Sequence, residues 1–170
     1  RKQKIIIIGW DGATWTLLKP WIEKGEMPAL KKFMERGVYG TVLSCIPCRS
    51  GTALPTFFTG RNPCKWGMFD FPSFDPDVVT YEKIKEKAQA VWDILGKFGY
   101  KSAVFNVPTT HPPTPIQGAG GVMVSGFNPS EEDEYSCPKD FKKNVKGFHS
   151  ERETLLKLIT GKKTMEKESD

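Results

Sequence analysis

Apolar positions in this chain come in two patterns, unbroken short runs and helical stripes, and they take turns. Lys4–Gly9, KIIIIG, is apolar at every internal position. Without period-two alternation, such a run reads as a strand covered on both faces, as in a parallel sheet beneath helices. It ends in Gly9-Trp10-Asp11-Gly12, a turn signal, and Ala13–Leu18 follows as a helix. Pro28–Arg36 puts Leu30, Phe33 and Met34 on one side, with Pro28 at its start and Gly37 just past its end, which predicts a short amphipathic helix. Val38–Ser44 reads as a second strand. Gly51–Phe58 reads as a short helix begun at Ser50 and closed by Thr59-Gly60.

Pro72–Thr80 is rich in Pro, Asp and Ser and predicts a surface loop. Glu82–Phe98 predicts one longer helix, with Ala88, Val91, Trp92 and Leu95 on one side and Gly99 beyond its end. Lys101–Val107 and Val122–Ser125 read as further strands, separated by the Pro- and Gly-rich loop Thr109–Gly121. A last helix is expected near Ser150–Ile159, before a polar tail, Gly161–Asp170. Strand, helix and strand in alternation predict right-handed crossovers and a mainly parallel sheet with helices on both faces.

Composition narrows the picture only a little. A chain of 170 residues fits one domain, burying about 70% of its unfolded surface. Lys+Arg 25 against Asp+Glu 20 gives a net charge of +5. That suits an anionic small substrate, and it is too mild and too dispersed for duplex nucleic acid. Cys45, Cys48, Cys64 and Cys137 are too few and too scattered for a disulfide framework. Cys45-x-x-Cys48 lacks the second half of a zinc knuckle and reads as ordinary thiols or, secondarily, a redox pair. No apolar run reaches the ~20 residues that span a bilayer. No secretory leader is visible, which makes the cytoplasm the expected compartment.

Two residues carry candidate chemistry. Ser50 stands where a strand delivers the chain into a helix. A hydroxyl there has exposed N–H groups and the positive end of a helix dipole beside it, which suits a nucleophile attacking phosphate or sulfate. The same position favours Ser simply as a helix cap. Asp11 falls beyond the carboxyl end of the first strand, the edge where open α/β sheets bind ligands; it also suits a turn or a cap for the following helix. The G-x-x-G around it is not a dinucleotide fingerprint.

The ordered combination of motifs resembles the alkaline phosphatase superfamily, in its type I phosphodiesterase/nucleotide pyrophosphatase branch. IIIIGWDG is similar to that branch's metal-binding strand end, and PALKKFMERG to the helix that follows. Thr59-Gly60-Arg61-Asn62-Pro63 matches a T-G-[KR]-x-P segment whose Gly lies ten residues after the nucleophile, and counting back from Gly60 gives Ser50. Asn106–Pro113 and Val122–Phe127 are also similar to stretches of this branch, and the likeness spans residues 4–130.

The resemblance implies an alkaline-phosphatase-like three-layer α/β/α sandwich, here incomplete. It implies a metal-dependent hydrolase of phosphodiesters or nucleotide pyrophosphates that acts through a phosphoseryl intermediate on a small phosphorylated substrate. Two divalent ions, usually zinc, would be held in part by Asp11 and Ser50, with Ser50 as nucleophile. Asp70 lies where the pyrophosphatases place a substrate-orienting Asn.

The chain also departs from the pattern. Trp66-Gly67-Met68 replaces an H-G-I segment, Gly51-Thr52 follows the nucleophile in place of Pro or Asn, and Pro55 stands inside the helix. That makes Thr52 a second candidate nucleophile. The downstream Asp-x-x-x-His, Asp-His and further His of the family are missing, since the chain holds only His111 and His149. His111 reads as structural and His149 as exposed.

The chain is therefore expected to be the N-terminal part of a longer protein. Residues 1–130 would belong to the catalytic domain, 131–170 would begin a cap or linker, and this stretch alone would be inactive. Cys45-Ile46-Pro47-Cys48-Arg49 fits the C-x-P-x-R of sulfatases, but Cys45 lies fifteen residues before Gly60, not ten. A phosphotransferase of the same superfamily is a further alternative, and so is a non-catalytic homologue if 170 residues are the whole protein.

Overall fold

A computed structural model describes residues 3–67, 69, 81–126 and 134–144. The chain forms two compact units, Arg1–Leu43 and Ser44–Asp170.

In the first unit, Trp15–Glu23 (α1) and Pro28–Arg36 (α2) are the two helices. Thr14 caps α1, its hydroxyl accepting from the Thr16 N–H at 3.4 Å. The helix runs five residues beyond the expected Leu18, through Pro20. The Trp15 indole donates to the Gly40 carbonyl at 3.2 Å and its ring lies 5.5 Å from that of Tyr39, so the residues after α2 fold back on the start of α1. The strands expected at Lys4–Gly9 and Val38–Ser44 are not formed. Ile5, Ile6, Ile7, Ile8, Val42 and Leu43 are all exposed, and among the described residues no strand pairs with either run. A segment apolar on both faces needs cover on both, and two nine-residue helices do not supply it.

The second unit holds the core. Ser50–Thr59 (α3) buries Gly51, Thr52, Pro55 and Phe58, a stripe at helical spacing. Tyr81–Lys87 (α4) and Val91–Lys97 (α5) replace the single helix expected over Glu82–Phe98. The break is a packing effect. Ala88 and Ala90 are both buried, and in a helix two residues apart they would face ~200° from each other. Extended backbone at Ala90 (φ −75°, ψ 151°) puts both on one side. On α5 the buried set is Trp92, Asp93 and Gly96, whereas Val91 is exposed and Leu95 half-buried.

Phe58, Tyr81 and Trp92 meet ring to ring, with centroids 4.8 Å apart for Phe58–Trp92 and 6.2 Å for each other pair. Trp66, Ile84, Ala88, Ala90, Val104, Ile116 and Met123 complete the cluster. Each large apolar side chain so buried contributes about 1.5–3 kcal/mol. Trp66, at the position where the sequence departs from H-G-I, is a wholly buried core residue.

Ser102–Val107 (β1), Gly121–Ser125 (β2) and Ser136–Cys137 (β3) form a sheet in that order, β1–β2 parallel and β2–β3 antiparallel. The sheet is thus small and mixed, with a third strand that the sequence pattern did not indicate. Two residues of strand and the 3₁₀ turns over Lys139–Asn144 are too short to leave a periodic signal. The expected helix near Ser150–Ile159 and the tail lie outside the described residues.

Tyr81 has a measurable consequence. Burial, with a smaller contribution from the Asp93 charge, pushes its phenol pKa well above the ordinary value, against the opposing effect of the hydrogen bond from the Trp92 indole at 2.7 Å. In the unfolded chain a tyrosine ionises near pH ~10. Above that pH the folded state therefore binds more protons than the unfolded one, and stability falls as pH rises. Urea midpoints should drop between pH 9 and 11 in the native protein, and Tyr81→Phe should flatten that slope while lowering the midpoint at neutral pH. An unchanged slope in the variant would show that Tyr81 is not its source.

Candidate active site

Local sequence builds the Ser50 helix. Arg49 is extended (φ −126°, ψ 150°) and its carbonyl accepts the first helical bonds, from Thr52 N–H at 3.0 Å and Ala53 N–H at 2.7 Å. Arg49 is therefore the cap position, its side chain makes no capping bond, and Ser50 is the first helical residue. Ser50 is half-buried. At the other end Gly60 adopts the left-handed conformation (φ 65°, ψ 19°) and its N–H bonds to Thr56 O at 2.9 Å. A glycine closes a helix this way without the penalty a Cβ brings. The ten-residue interval from Ser50 to Gly60 is thus one whole helix, from its first residue to its closing glycine. Pro55 does not interrupt it. The Thr56 and Thr59 hydroxyls bond back to Thr52 O at 2.8 Å and Pro55 O at 2.5 Å.

Thr52, one half-turn further on, is completely buried. Its hydroxyl lies 2.6 Å from Pro47 O and 2.9 Å from Arg49 O, and the Cys45 thiol sits 3.6 Å from its Oγ1. With one proton shared between two carbonyls, Thr52 ties the Cys45–Arg49 turn to the helix start. Cys45 also lies 3.4 Å from Pro47 O. All four cysteines are free thiols.

In the first unit, Asp11 occupies the turn after the extended Ile run. Its Oδ1 accepts the Gly12 N–H at 3.1 Å, and Gly12 has φ 68°. Asp11 lines an open hollow of about 290 Å³ whose walls include Trp10, Leu17, Leu18, Trp21 and Met27. Asp70 lies outside the described residues, as does His149.

At the carboxyl end of the parallel pair the sequence reading missed a cluster. β1 and β2 run in register from Ser102↔Gly121 to Phe105↔Val124, and then the register slips, so that Val107 pairs with Ser125 and Asn106 bulges out. Asn106 has φ 51° and Thr109 φ 69°. Such backbone costs about 1–3 kcal/mol per residue, and for a β-branched threonine it is an outlier. The Thr110 hydroxyl donates to Val107 O at 2.7 Å and accepts the Gly126 N–H at 3.2 Å, clasping the two strand ends. A Cβ at Gly126 would come within 2.5 Å of Val107 backbone, so only glycine fits there. His111 Nδ1 lies 3.3 Å from the Oγ of Ser125, which is fully buried. A local sequence signal for this cluster is lacking, because a bulge depends on the register between two strands fourteen residues apart.

Among the described residues no three His, Cys, Asp or Glu side chains gather into a metal cluster, and no helix is long and apolar enough to cross a membrane.

No curated protein and no solved structure matches the chain. The sequence profile of the type I phosphodiesterase / nucleotide pyrophosphatase family matches residues 5–166, almost the whole chain. With helices around a small mixed sheet, as in an incomplete α/β fold of the alkaline phosphatase type, the chain belongs to the type I phosphodiesterase/nucleotide pyrophosphatase family of that superfamily.

Proposed function

We propose that the chain carries the nucleophile of a hydrolase of phosphodiesters or nucleotide pyrophosphates, and that Ser50 is that nucleophile. The observation that carries this reading is the coincidence of the Ser50–Gly60 interval with one complete helix. It sets a half-buried hydroxyl in a first turn where N–H groups and the helix dipole favour an anion. The Thr52 hydroxyl, two residues on, is buried against carbonyls and suits a structural role. In the reaction Ser50 Oγ forms a bond to phosphorus in line with the departing oxygen, and the P–O bond to the leaving alcohol or nucleotide breaks. The serine proton leaves, on balance, with that alcohol. Water then cleaves the phosphoserine, returning the hydroxyl and releasing a phosphomonoester.

Asp11 would ligate one ion of a divalent-metal pair, zinc in the first instance, which would supply Lewis-acid stabilisation when bound. The remaining ligands, and Asp70 as an orienting group, belong to the same proposal. Residues 1–130 are then the nucleophile-bearing part of the catalytic domain and 131–170 the beginning of a cap or linker. The ligand-bearing sequence would lie in a longer protein. A small phosphorylated substrate in the cytoplasm completes the reading.

Full-length protein should hydrolyse bis(nitrophenyl) phosphate, lose that activity to a chelator and regain it with added zinc. Asp11→Asn should lower bound metal and reduce kcat/KM by at least the ~100-fold that loss of even an outer-shell partner can cost. Full metal content and full rate in Asp11→Asn would remove Asp11 from the site. A sulfatase is the second reading, favoured only by Cys45 lying against the first turn of α3; turnover of an aryl sulfate in preference to the phosphodiester would select it.

A further inference from the structure

The turn that leads into α3 carries two thiols that phosphodiester hydrolysis does not use. Cys45 and Cys48 are both free, Cys45 half-buried and Cys48 exposed. Between them the chain bends at Ile46 and Pro47. The Pro47 carbonyl has three donors around it: the Arg49 N–H at 3.1 Å, the Thr52 hydroxyl at 2.6 Å and the Cys45 thiol at 3.4 Å. The thiol makes the longest of these contacts and is the weakest donor. It is the one most easily given up.

That contact also bounds the distance between the two cysteines. The Pro47 oxygen lies in the same planar peptide unit as the Cys48 Cα, about 2.8 Å from it. Cys45 Sγ, 3.4 Å from that oxygen, is therefore within about 6.2 Å of the Cys48 Cα. In a formed disulfide the same two atoms stand about 4 Å apart. The gap to close is at most about 2 Å, within reach of rotations about the two Cα–Cβ bonds.

Closing it would act on the helix start through Arg49, the residue after Cys48. The Arg49 carbonyl accepts the Thr52 N–H at 3.0 Å, the Ala53 N–H at 2.7 Å and the Thr52 hydroxyl at 2.9 Å. Drawing Cys48 toward Cys45 turns the peptide unit just ahead of Arg49. It also takes Cys45 Sγ away from Thr52 Oγ1, 3.6 Å distant. Ser50 is the first residue of the helix that these bonds begin.

We infer that Cys45 and Cys48 form a reversible thiol–disulfide switch at the foot of α3. The dithiol holds the first turn in its helical geometry, and the disulfide loosens it. The oxidant is a low-molecular-weight disulfide. The exposed Cys48 thiolate attacks one of its sulfurs, forming a mixed disulfide and releasing one thiolate. The Cys45 thiolate then attacks Cys48 Sγ, forming the internal bond and releasing the second. Two protein thiols are oxidised, one disulfide is reduced to two thiols, and the two protons pass to the released thiolates. In the cytoplasm of the proposed function, such a pair suits redox sensing better than permanent cross-linking. The effect on turnover rests on the Ser50 reading, whereas the switch itself does not.

Trypsin cuts after Arg36 and Arg49, so the peptide Gly37–Arg49 carries Cys45 and Cys48 and neither other cysteine. After full-length protein is incubated with glutathione disulfide, that peptide should be two hydrogens lighter and resist alkylation, and dithiothreitol should restore it. Amide exchange at Thr52 and Ala53 should be about tenfold faster in the oxidised form, as local opening of the first turn requires. Phosphodiester turnover should fall about tenfold, the scale of a small misplacement of the nucleophile. Cys48→Ser should abolish all three responses and keep the reduced rate within about threefold of native, because its side chain is exposed and outside the helix.

A Gly37–Arg49 peptide that stays a dithiol, or carries only glutathione adducts, would overturn the switch. So would a disulfide that leaves exchange at Thr52 and Ala53 unchanged. Neither readout needs turnover, so failure here leaves the Ser50 reading standing. Conversely, an active Ser50→Ala enzyme would remove that reading without touching the peptide mass or the exchange response.

Discussion

Replacing Ser50 with alanine should reduce phosphodiester hydrolysis by the full-length protein by roughly 10⁴-fold or more, the scale of losing a covalent nucleophile. The fold should be left nearly untouched. Ser50 is the first residue of α3 and Arg49 holds the cap position, so the helix keeps its Arg49 carbonyl bonds without the hydroxyl. Thr52→Ala should behave in the opposite way. It deletes a hydroxyl set between Pro47 O and Arg49 O in a fully buried position, which costs about 1–2 kcal/mol of stability. Once folded, that variant should keep kcat within a few-fold of native. Burst kinetics add a second readout, because a phosphoseryl intermediate predicts one equivalent of nitrophenol released ahead of steady state. If Thr52→Ala is inactive but stable, and Ser50→Ala turns over, the nucleophile is two residues further along the helix.

Ser50 could be picked out because its signals are local. A helix start and a glycine that ends a helix leave their mark within a few residues, and the interval between them is a count along one element. The same locality explains the close agreement over Pro28–Arg36, β1 and β2. Where the cause was non-local, the pattern misled. Ile5–Ile8 has the composition of a strand covered on two faces, but composition says what a segment needs and not what lies over it. Ala88-Gln89-Ala90 carries no helix breaker, yet the chain opens there because both alanines are drawn into the core. Trp66 looked like a departure from a motif and is a wholly buried member of the core. His111 reads as structural in the sequence, but the partner it finds, Ser125, depends on the β1–β2 register, which no single segment encodes.

Asp93 is the sharpest case of a residue that periodicity hides, and truncating it should be the most damaging single change in the second unit outside the aromatic core. A helical stripe reading assigns Val91, Trp92 and Leu95 to the interior and an aspartate to solvent; the structure buries Asp93 instead. Its Oδ1 accepts the Gln117 N–H at 3.0 Å and its Oδ2 lies 3.7 Å from Lys85 Nζ, which also donates to Thr114 at 2.8 Å. One carboxylate thus ties α5 to α4 and to the 114–117 loop. Nearby, the Ala119 N–H donates to Gly96 O at 2.9 Å, and a Cβ on Gly96 would collide with the Gln117 carbonyl, so loop and helix meet backbone to backbone.

Asp93→Ala leaves the Gln117 N–H unbonded and the largely buried Lys85 without its counter-charge, which should cost about 2–4 kcal/mol. Asp93→Asn keeps an acceptor for Gln117 and removes only the charge, and should cost about half as much. The single variants combined with Lys85→Met form a cycle whose coupling measures the ion pair separately from the backbone bond. Urea unfolding followed by tryptophan fluorescence is suited to this, since Trp66 and Trp92 both report on the buried core. A loss below about 1 kcal/mol in Asp93→Ala, the scale of a single ordinary hydrogen bond, would mean that the loop is held by the Gly96–Gln117 packing, with the carboxylate a passenger.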